Sequence, residues 1–322
     1  MTIQHLLKTA PVTTLLLSSF IGLFILQVLS GVDASNPSLE ALLRWGANVL
    51  PLTMNHQPWR LVSSAFLHIG FMHLLFNGFA MYFFGQIAEP MFGSAKFLAL
   101  FLLAAIGGNL LNSYVTVQDI LNATGGYGIS AGASGGIMGI GAALLIAALF
   151  KIAVNGMVLN LKSLMIIMGI NLVYGFAVPG IDNAGHIGGA LTGLVIALAF
   201  AIAYRQRLAA TVQNVPRRIG DSYHTTYINS PTSSDTDFSS HTPRFDNEAS
   251  FDNNSSFHPN SAVNLPINSH ANHRKFNEQK TPPKAIFIWQ VLPWLVMLLI
   301  SIGFMWWWQA IHQHVLTIPA LA

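Results

Sequence analysis

The chain has 322 residues, of which 52% are hydrophobic and 8% charged, with a formal net charge of +3. A soluble domain carries about 25% charged residues, so a chain this long with so few charges cannot cover a water-facing surface, and the lipid bilayer is the expected solvent. The absence of cysteine excludes disulfides, cysteine zinc sites and cysteine nucleophiles, and the scattered basic residues leave no nucleic-acid footprint.

A spanning helix needs roughly 20 mainly apolar residues. Seven runs are predicted to span, at 12–32, 66–88, 95–115, 134–150, 156–178, 185–204 and 285–308. The first is long enough to cross and lacks a small-residue cleavage site, so it reads as a retained helix rather than a cleaved signal. Residues 205–284 are rich in Ser, Asn, Thr, Pro and His, with spaced phenylalanines at Phe238, Phe245, Phe251 and Phe257. They read as a disordered cytoplasmic linker that buries too little apolar surface to fold. The expected organisation is an all-α bundle of six helices over 1–204, the linker over 205–284, and a seventh helix with a short outer tail over 285–322.

Lysine and arginine set the orientation. With the N-terminus inside, Lys8, Lys96, Lys151, Lys162, Arg205, Arg207 and the basic residues of the linker fall on the cytoplasmic side, and only Arg44 and Arg60 fall outside. Seven spans then leave the C-terminus outside. In this frame Ser134 and His186 both lie at the outer ends of their helices.

Polar side chains at membrane depth are costly and tend to mark function. Ser134 stands in Gly132-Ala133-Ser134-Gly135-Gly136 at the start of an apolar helix. Alone, it reads as a helix cap or a small packing residue. The glycines around it let a partner helix approach and leave amides free to face an oxyanion. Near His186, Gly185, Gly189 and Gly193 recur every four residues, and Gly135 and Gly139 match them on the fourth helix. Packing these strips together would join the first turns of both helices, bringing an imidazole to a serine that needs a base to act as a nucleophile. His73 and Asn77 share one face of the second helix, with His68 just over a turn before them. They read either as interhelical hydrogen-bonding groups or as a donor pair for an oxyanion. A zinc protease would need a His-Glu-x-x-His helix, which is absent; an aspartyl type would need two acids at membrane depth, and Glu89 and Asp182 sit at helix ends.

Taken together and in this order, Trp59-Arg60, His68, His73-Leu-Leu-Phe-Asn77, Gly85-Gln-Ile-Ala-Glu89, Gly132-Ala-Ser134-Gly135 and Gly185-His186-Ile-Gly-Gly189-Ala-Leu-Thr-Gly193 resemble the rhomboid family of intramembrane serine proteases. The resemblance covers about 12–204, and the seventh helix resembles the family variant with one extra C-terminal span. It implies Ser134 as nucleophile and His186 as base, with His73, Asn77 and the Ser134 amide as the oxyanion hole. Trp59 and Arg60 are implied as structural residues of the first outer loop, and Glu89 as a buried acid that braces that loop. His68 is counted with the supporting residues. Neither metal nor organic cofactor is implied.

The position one turn after the serine is often aromatic in the family; here it is Met138, whose sulfur can still pack on an imidazole. Asp182 reads as a helix cap or loop acid before it reads as a third catalytic group. The expected reaction is hydrolysis of peptide bonds in or near transmembrane segments of membrane proteins. A lateral gate is expected at the fifth helix and Val178-Pro179-Gly180. The rival reading is a non-catalytic relative that binds membrane clients. The expected location is a bacterial inner membrane, with the lipid bilayer and transmembrane substrates as the partners. Residues 205–322 are expected to be dispensable for the chemistry, the Trp306-Trp307-Trp308 triplet serving as an interfacial anchor; the alternative is that the last helix packs on the core and shapes the gate.

Overall fold

The structure, a computed structural model, describes residues 3–152, 159–177, 181–213 and 284–318. Each of the seven apolar runs carries a helix: α2 (Pro11–Leu29), α6 (Phe71–Phe92), α7 (Ser94–Leu121), α8 (Ser134–Leu149), α9 (Leu161–Ala177), α10 (Asn183–Gln213) and α11 (Lys284–Leu316). A short α1 (Ile3–Thr9) precedes them. Between α2 and α6 lie α3 (Leu39–Trp45), β1 (Asn48–Val49), α4 (Leu50–Asn55), α5 (Arg60–Ser63) and a 3-10 turn at Ser64–Phe66. The only other extended piece among the described residues is β2 (Ile129–Ser130). The fold is all-α and multi-pass.

Four helices, α2, α7, α10 and α11, are long and apolar enough to cross a bilayer unaided, and α5 to α6 forms a fifth, bent by 93°. The two remaining runs give shorter apolar helices. Shortness is tolerable in α8 because protein rather than lipid surrounds it: twelve of its 16 residues are buried. On α9, by contrast, Leu164 and Met168 are the buried positions among the described side chains, while Met165, Ile166, Ile167, Ile170 and Val173 face outward.

At the centre, α7, α8 and α10 approach closely through small residues. A Cβ on Gly189 would overlap the Gly135 carbonyl, and one on Gly193 the Gly139 carbonyl. A Cβ on Gly139 would meet Ala104 of α7 and stand 2.9 Å from the Gly189 carbonyl. On the α7 side, a Cβ on Gly108 would lie 2.5 Å from the Gly185 carbonyl and one on Gly188 2.6 Å from the Gly107 carbonyl. Between helices in lipid, attraction comes from such backbone-to-backbone packing, because lipid tails are as apolar as leucine.

Three features differ from the sequence expectation. First, α10 continues to Gln213 rather than stopping at Tyr204. Second, Glu89 lies at the far end of α6 from the first loop and braces the start of α2 instead. Its carboxylate accepts from the amides of Val12 (2.9 Å) and Thr13 (2.7 Å), from Thr13 Oγ1 (2.8 Å) and from Ser94 Oγ (2.6 Å). The physical reason is the helix terminus: α2 has no side-chain cap of its own and begins with Pro11, so its first amides need an acceptor, and a carboxylate suits the positive end of a helix.

Third, α11 packs on the bundle by a narrow stripe rather than standing apart as an anchor. Ile311, Val315 and Ile318 are buried in a cluster with Leu50, Met54, Leu61, Leu110 and Val117. Trp308 Nε1 donates to the Thr53 carbonyl (3.4 Å), and Trp307 lies 6.3 Å from the Tyr114 ring. Of the triplet only Trp306 is turned outward. The phenylalanines of the linker and the Val178-Pro179-Gly180 turn lie outside the described residues.

Candidate active site

Ser134 opens α8, whose N-terminus has no side-chain cap. Among the described residues no side chain caps its first amides, which carry the positive end of the helix dipole and so suit a developing anion. The preceding residue pair imposes the geometry. Gly132 has φ +142°, and a Cβ there would lie 2.6 Å from His73 Cε1, 2.8 Å from His73 Nε2 and 3.6 Å from Asn77 Nδ2. Only glycine meets both demands.

The His73 ring is oriented by its own backbone. Its Nδ1 accepts from the Ile69 amide (3.3 Å), so in the neutral ring the proton sits on Nε2, the nitrogen that faces Gly132. One turn on, Asn77 is buried and its Nδ2 has no hydrogen-bond acceptor among the described residues. Two N–H donors from α6 thus converge beside the segment that leads into Ser134.

His186 lies in the first turns of α10, half-buried. The two helix starts meet where Gly135 and Gly185 touch: a Cβ on Gly135 would be 3.3 Å from the Gly185 carbonyl. Ser134 and His186 are the chain neighbours of those two glycines. The His186 Nδ1 is buried without a hydrogen-bond partner among the described residues. Asp182 is otherwise engaged: its Oδ1 accepts from the Gly185 amide (2.7 Å) and from Asn112 Nδ2 (2.9 Å). It is the N-cap of α10, tied to α7, as its position in the sequence suggests. Met138 is buried in the main core cluster.

The first loop is fastened to this region. Arg60 is only 5% exposed; its Nη1 donates to the carbonyls of Leu43 and Ala47 (both 2.8 Å), its Nε donates to Gln57 Oε1 (2.7 Å), and its guanidinium lies 4.8 Å from the Trp59 ring centre. Trp59 itself lies against Gly46, where a Cβ would be 2.7 Å from the indole. Arg60 so ties the last turn of α3 to Ala47, the residue just before β1. β1 pairs antiparallel with β2, Asn48 opposite Ser130 and Val49 opposite Ile129. His68 is buried, 5.3 Å from Phe20 and 5.4 Å from His73 between ring centres.

Sequence reasoning passed over Asn109. Its Nδ2 donates to the Leu61 carbonyl and to Ser64 Oγ (both 2.8 Å), while its Oδ1 accepts from Ser130 Oγ (3.1 Å). The Ser64 carbonyl accepts from the Gly132 amide (2.9 Å). A buried asparagine in α7 therefore joins the first loop to the segment before Ser134. The available signal was a polar side chain within a long apolar run.

The fold and the site together define a polytopic helical membrane protein with an uncapped serine-bearing helix start, two donors and a histidine gathered at one end of its central helices. Residues 55–203 match the family model described as the Rhomboid domain, the family that the sequence motifs resemble. It is 35% identical over 210 residues to Rhomboid protease GluP of Bacillus subtilis (strain 168), covering 64% of this chain and 39% of that protein. It is 33% identical over 177 residues to Rhomboid protease AarA of Providencia stuartii, covering 50% of this chain and 62% of that protein. Rhomboid-like protease 1 of Toxoplasma gondii is 31% identical over 166 residues, covering 51% of this chain and 54% of that protein. The chain thus spans less than two thirds of each of these relatives.

Proposed function

We propose that the protein is an intramembrane serine endopeptidase, cleaving peptide bonds in or near transmembrane segments of other membrane proteins with a Ser134–His186 dyad. The observation that carries this reading is the convergence, beside Gly132, of an uncapped helix start bearing Ser134 with the Nε2–H of His73 and the Nδ2–H of Asn77. His186 accepts the proton of Ser134 Oγ as that oxygen attacks the substrate carbonyl carbon. The charge moves to the carbonyl oxygen, where the Ser134 amide, His73 and Asn77 hold it, each fixed donor contributing on the order of 3 kcal/mol. Collapse breaks the C–N bond, and the imidazolium gives its proton to the leaving amine. A water molecule, deprotonated by the same imidazole, then attacks the acyl carbon; the bond to Ser134 Oγ breaks, and the imidazolium returns its proton to that oxygen. With Asp182 committed to the α10 cap, two groups rather than three serve the proton transfers.

A substrate helix hides its carbonyls in its own hydrogen bonds, so segments that unwind readily are the expected targets. The sparse burial of α9 supports lateral entry beside that helix. In this reading residues 1–204 carry the chemistry, Trp59, Arg60, His68 and Glu89 support it, and no cofactor takes part. Charge distribution supports a cytoplasmic N-terminus and an outer C-terminus, and the location in this reading is a bacterial inner membrane. A cysteine introduced at Ser35, in this cysteine-free chain, would then react with an impermeant maleimide from outside; protection there would reverse the orientation.

The direct test of the enzyme reading is reaction of the purified protein with a fluorophosphonate, followed by mass mapping. The label is expected on Ser134 and is expected to disappear in Ser134→Ala and fall sharply in His186→Ala. An unlabelled Ser134 in folded protein that binds, but does not cut, membrane clients would replace this reading with the non-catalytic one.

A further inference from the structure

Asn109 and Asn112 stand one turn apart on α7 and so share one side of it. Asn109 reaches the first loop and Ser130, on the side that leads into Ser134. Asn112 reaches the other helix of the proposed dyad: its Nδ2 donates to Asp182 Oδ1 (2.9 Å). That same oxygen accepts from the Gly185 amide (2.7 Å). One carboxylate oxygen thus caps the start of α10 and ties it to α7.

The capped turn is the one that bears the imidazole. The His186 amide donates to the Asp182 carbonyl (3.1 Å). A Cβ on Gly185 would overlap the Asp182 carboxylate, so the acid lies folded over the residue that precedes His186. The Gly185 carbonyl would in turn stand 2.5 Å from a Cβ on Gly108 of α7, and a Cβ on Gly188 would stand 2.8 Å from Leu111 Cβ. Further along α10, Gly189 and Gly193 meet Gly135 and Gly139 of α8, and those contacts do not involve Asn112. Removing the Asn112 amide therefore loosens the first turn of α10 and leaves the rest docked. Helix ends open locally at far lower cost than the fold as a whole, and a base on a loosened turn spends less time in line with its serine.

We infer that Asn112 is a positioning residue for His186 and acts through Asp182: the α7 amide holds the capping carboxylate, and the capped turn holds the imidazole towards Ser134. This role rests on the peptidase reading. With Asn109 on the same side, α7 becomes the element that sets the segment before the nucleophile and the turn of the base against each other. Asp182 serves here as a hydrogen-bond acceptor, and its charge takes no part in the proton transfers.

The test uses the full chain in detergent, at a temperature where every variant compared is folded. It measures kcat and KM for a reporter membrane substrate, and the rate at which a fluorophosphonate labels Ser134. Asn112→Leu keeps the bulk of the side chain and Asn112→Ala cannot crowd α10, so one decides if the other fails to fold. Each is expected to lower kcat and the labelling rate about 10-fold, with KM within about twofold, as for a misplaced reacting group. Asp182→Asn keeps the acceptor oxygen and, asparagine being an equal cap, should stay within about threefold of the unaltered protein. Asp182→Ala should lose at least as much as Asn112→Ala, and adding Asn112→Ala to it should cost nothing more, because both act through one contact. Unchanged kcat in the Asn112 variants, a loss confined to KM, or losses that multiply in the double variant overturns the role. So does a fall of Asp182→Asn to the level of Asp182→Ala, which would make the charge of the carboxylate the working part. An unaltered protein that neither cleaves nor labels at Ser134 removes the peptidase reading and this role with it. Labelling of Ser134 that the Asn112 variants leave untouched removes this role alone.

Discussion

A methyl group on Gly132 would be driven into the His73 imidazole, at 2.6 Å from Cε1, while the backbone there sits at a φ that side chains resist. Gly132→Ala must therefore push His73 away or twist the segment before Ser134. Its expected effect is a loss of cleavage of a reporter membrane substrate by 100-fold or more, on the order of 3 kcal/mol in the transition state. Near-normal turnover would show that His73 need not stand where it does. The donors themselves are expected to be graded: His73→Ala and Asn77→Ala should each slow turnover by about 10- to 1000-fold without abolishing it. Two variants with unaltered kcat would remove both from the oxyanion hole. At this scale the sequence was most readable where short motifs place polar atoms on a known helix face, as with His73 and Asn77 four residues apart. It was silent where a role comes from a partner distant in the chain. Asn109 meets Leu61, Ser64 and Ser130, and nothing in its flanking residues announces that.

Between elements, the decisive contact is glycine against glycine. The spacing of four at Gly185, Gly189 and Gly193, with Gly135 and Gly139 opposite, is sufficient to foresee that α8 and α10 meet along small residues, because lipid offers no other strong reason for two apolar helices to touch. Replacing Gly189 by leucine puts side-chain atoms where the Gly135 carbonyl now lies. Overpacking of this kind costs about 1–3 kcal/mol or more. It should also part the helix starts that carry Ser134 and His186. The expected result is a lower unfolding midpoint together with a turnover loss of about 100-fold, since misplacement by about 1 Å can cost that much. Loss of stability with full turnover would mean that the approach of α8 to α10 does not set the dyad. Glu89 shows the limit of motif reading at this scale. Its motif places it at the end of α6, but its function as acceptor for the Val12 and Thr13 amides depends on which helix start lies beside it. The first loop was equally opaque: α3, α4 and α5 are each of seven residues or fewer, too short for any hydrophobic periodicity to declare itself.

For the whole molecule, the apolar runs foretold the helices because each must satisfy its backbone internally, while the docking of α11 was hidden. The docking of α11 matters most. Its C-terminal half and the residues just after it bury Ile311, Val315 and Ile318 on Leu50, Met54 and Leu61 of the first loop, and its Trp308 holds the Thr53 carbonyl. Thr53 Oγ1 in turn donates to Asn48 Oδ1 (2.7 Å), and Asn48 is paired with Ser130, four residues before Ser134. A chain of contacts thus leads from α11 through β1 and β2 to the proposed nucleophile. On sequence grounds alone, removal of residues 205–322 was expected to leave the chemistry untouched, since every residue of the proposed site precedes them. The packing argues for a different outcome. A variant ending after Gln213 should keep all the catalytic groups and still cleave, but about 10-fold more slowly, with the cost of loosening β1 against β2 falling on the oxyanion geometry. Losing about 2–3 kcal/mol of packing should lower its unfolding midpoint by roughly 5–10 °C. The discriminating measurement is kcat with KM in the same detergent, at a temperature where both proteins are folded. Unchanged kcat with a lowered midpoint would make α11 a fastening of the fold alone, whereas a fall in kcat that Trp308→Ala reproduces in the full chain would trace the effect to the contact with Thr53.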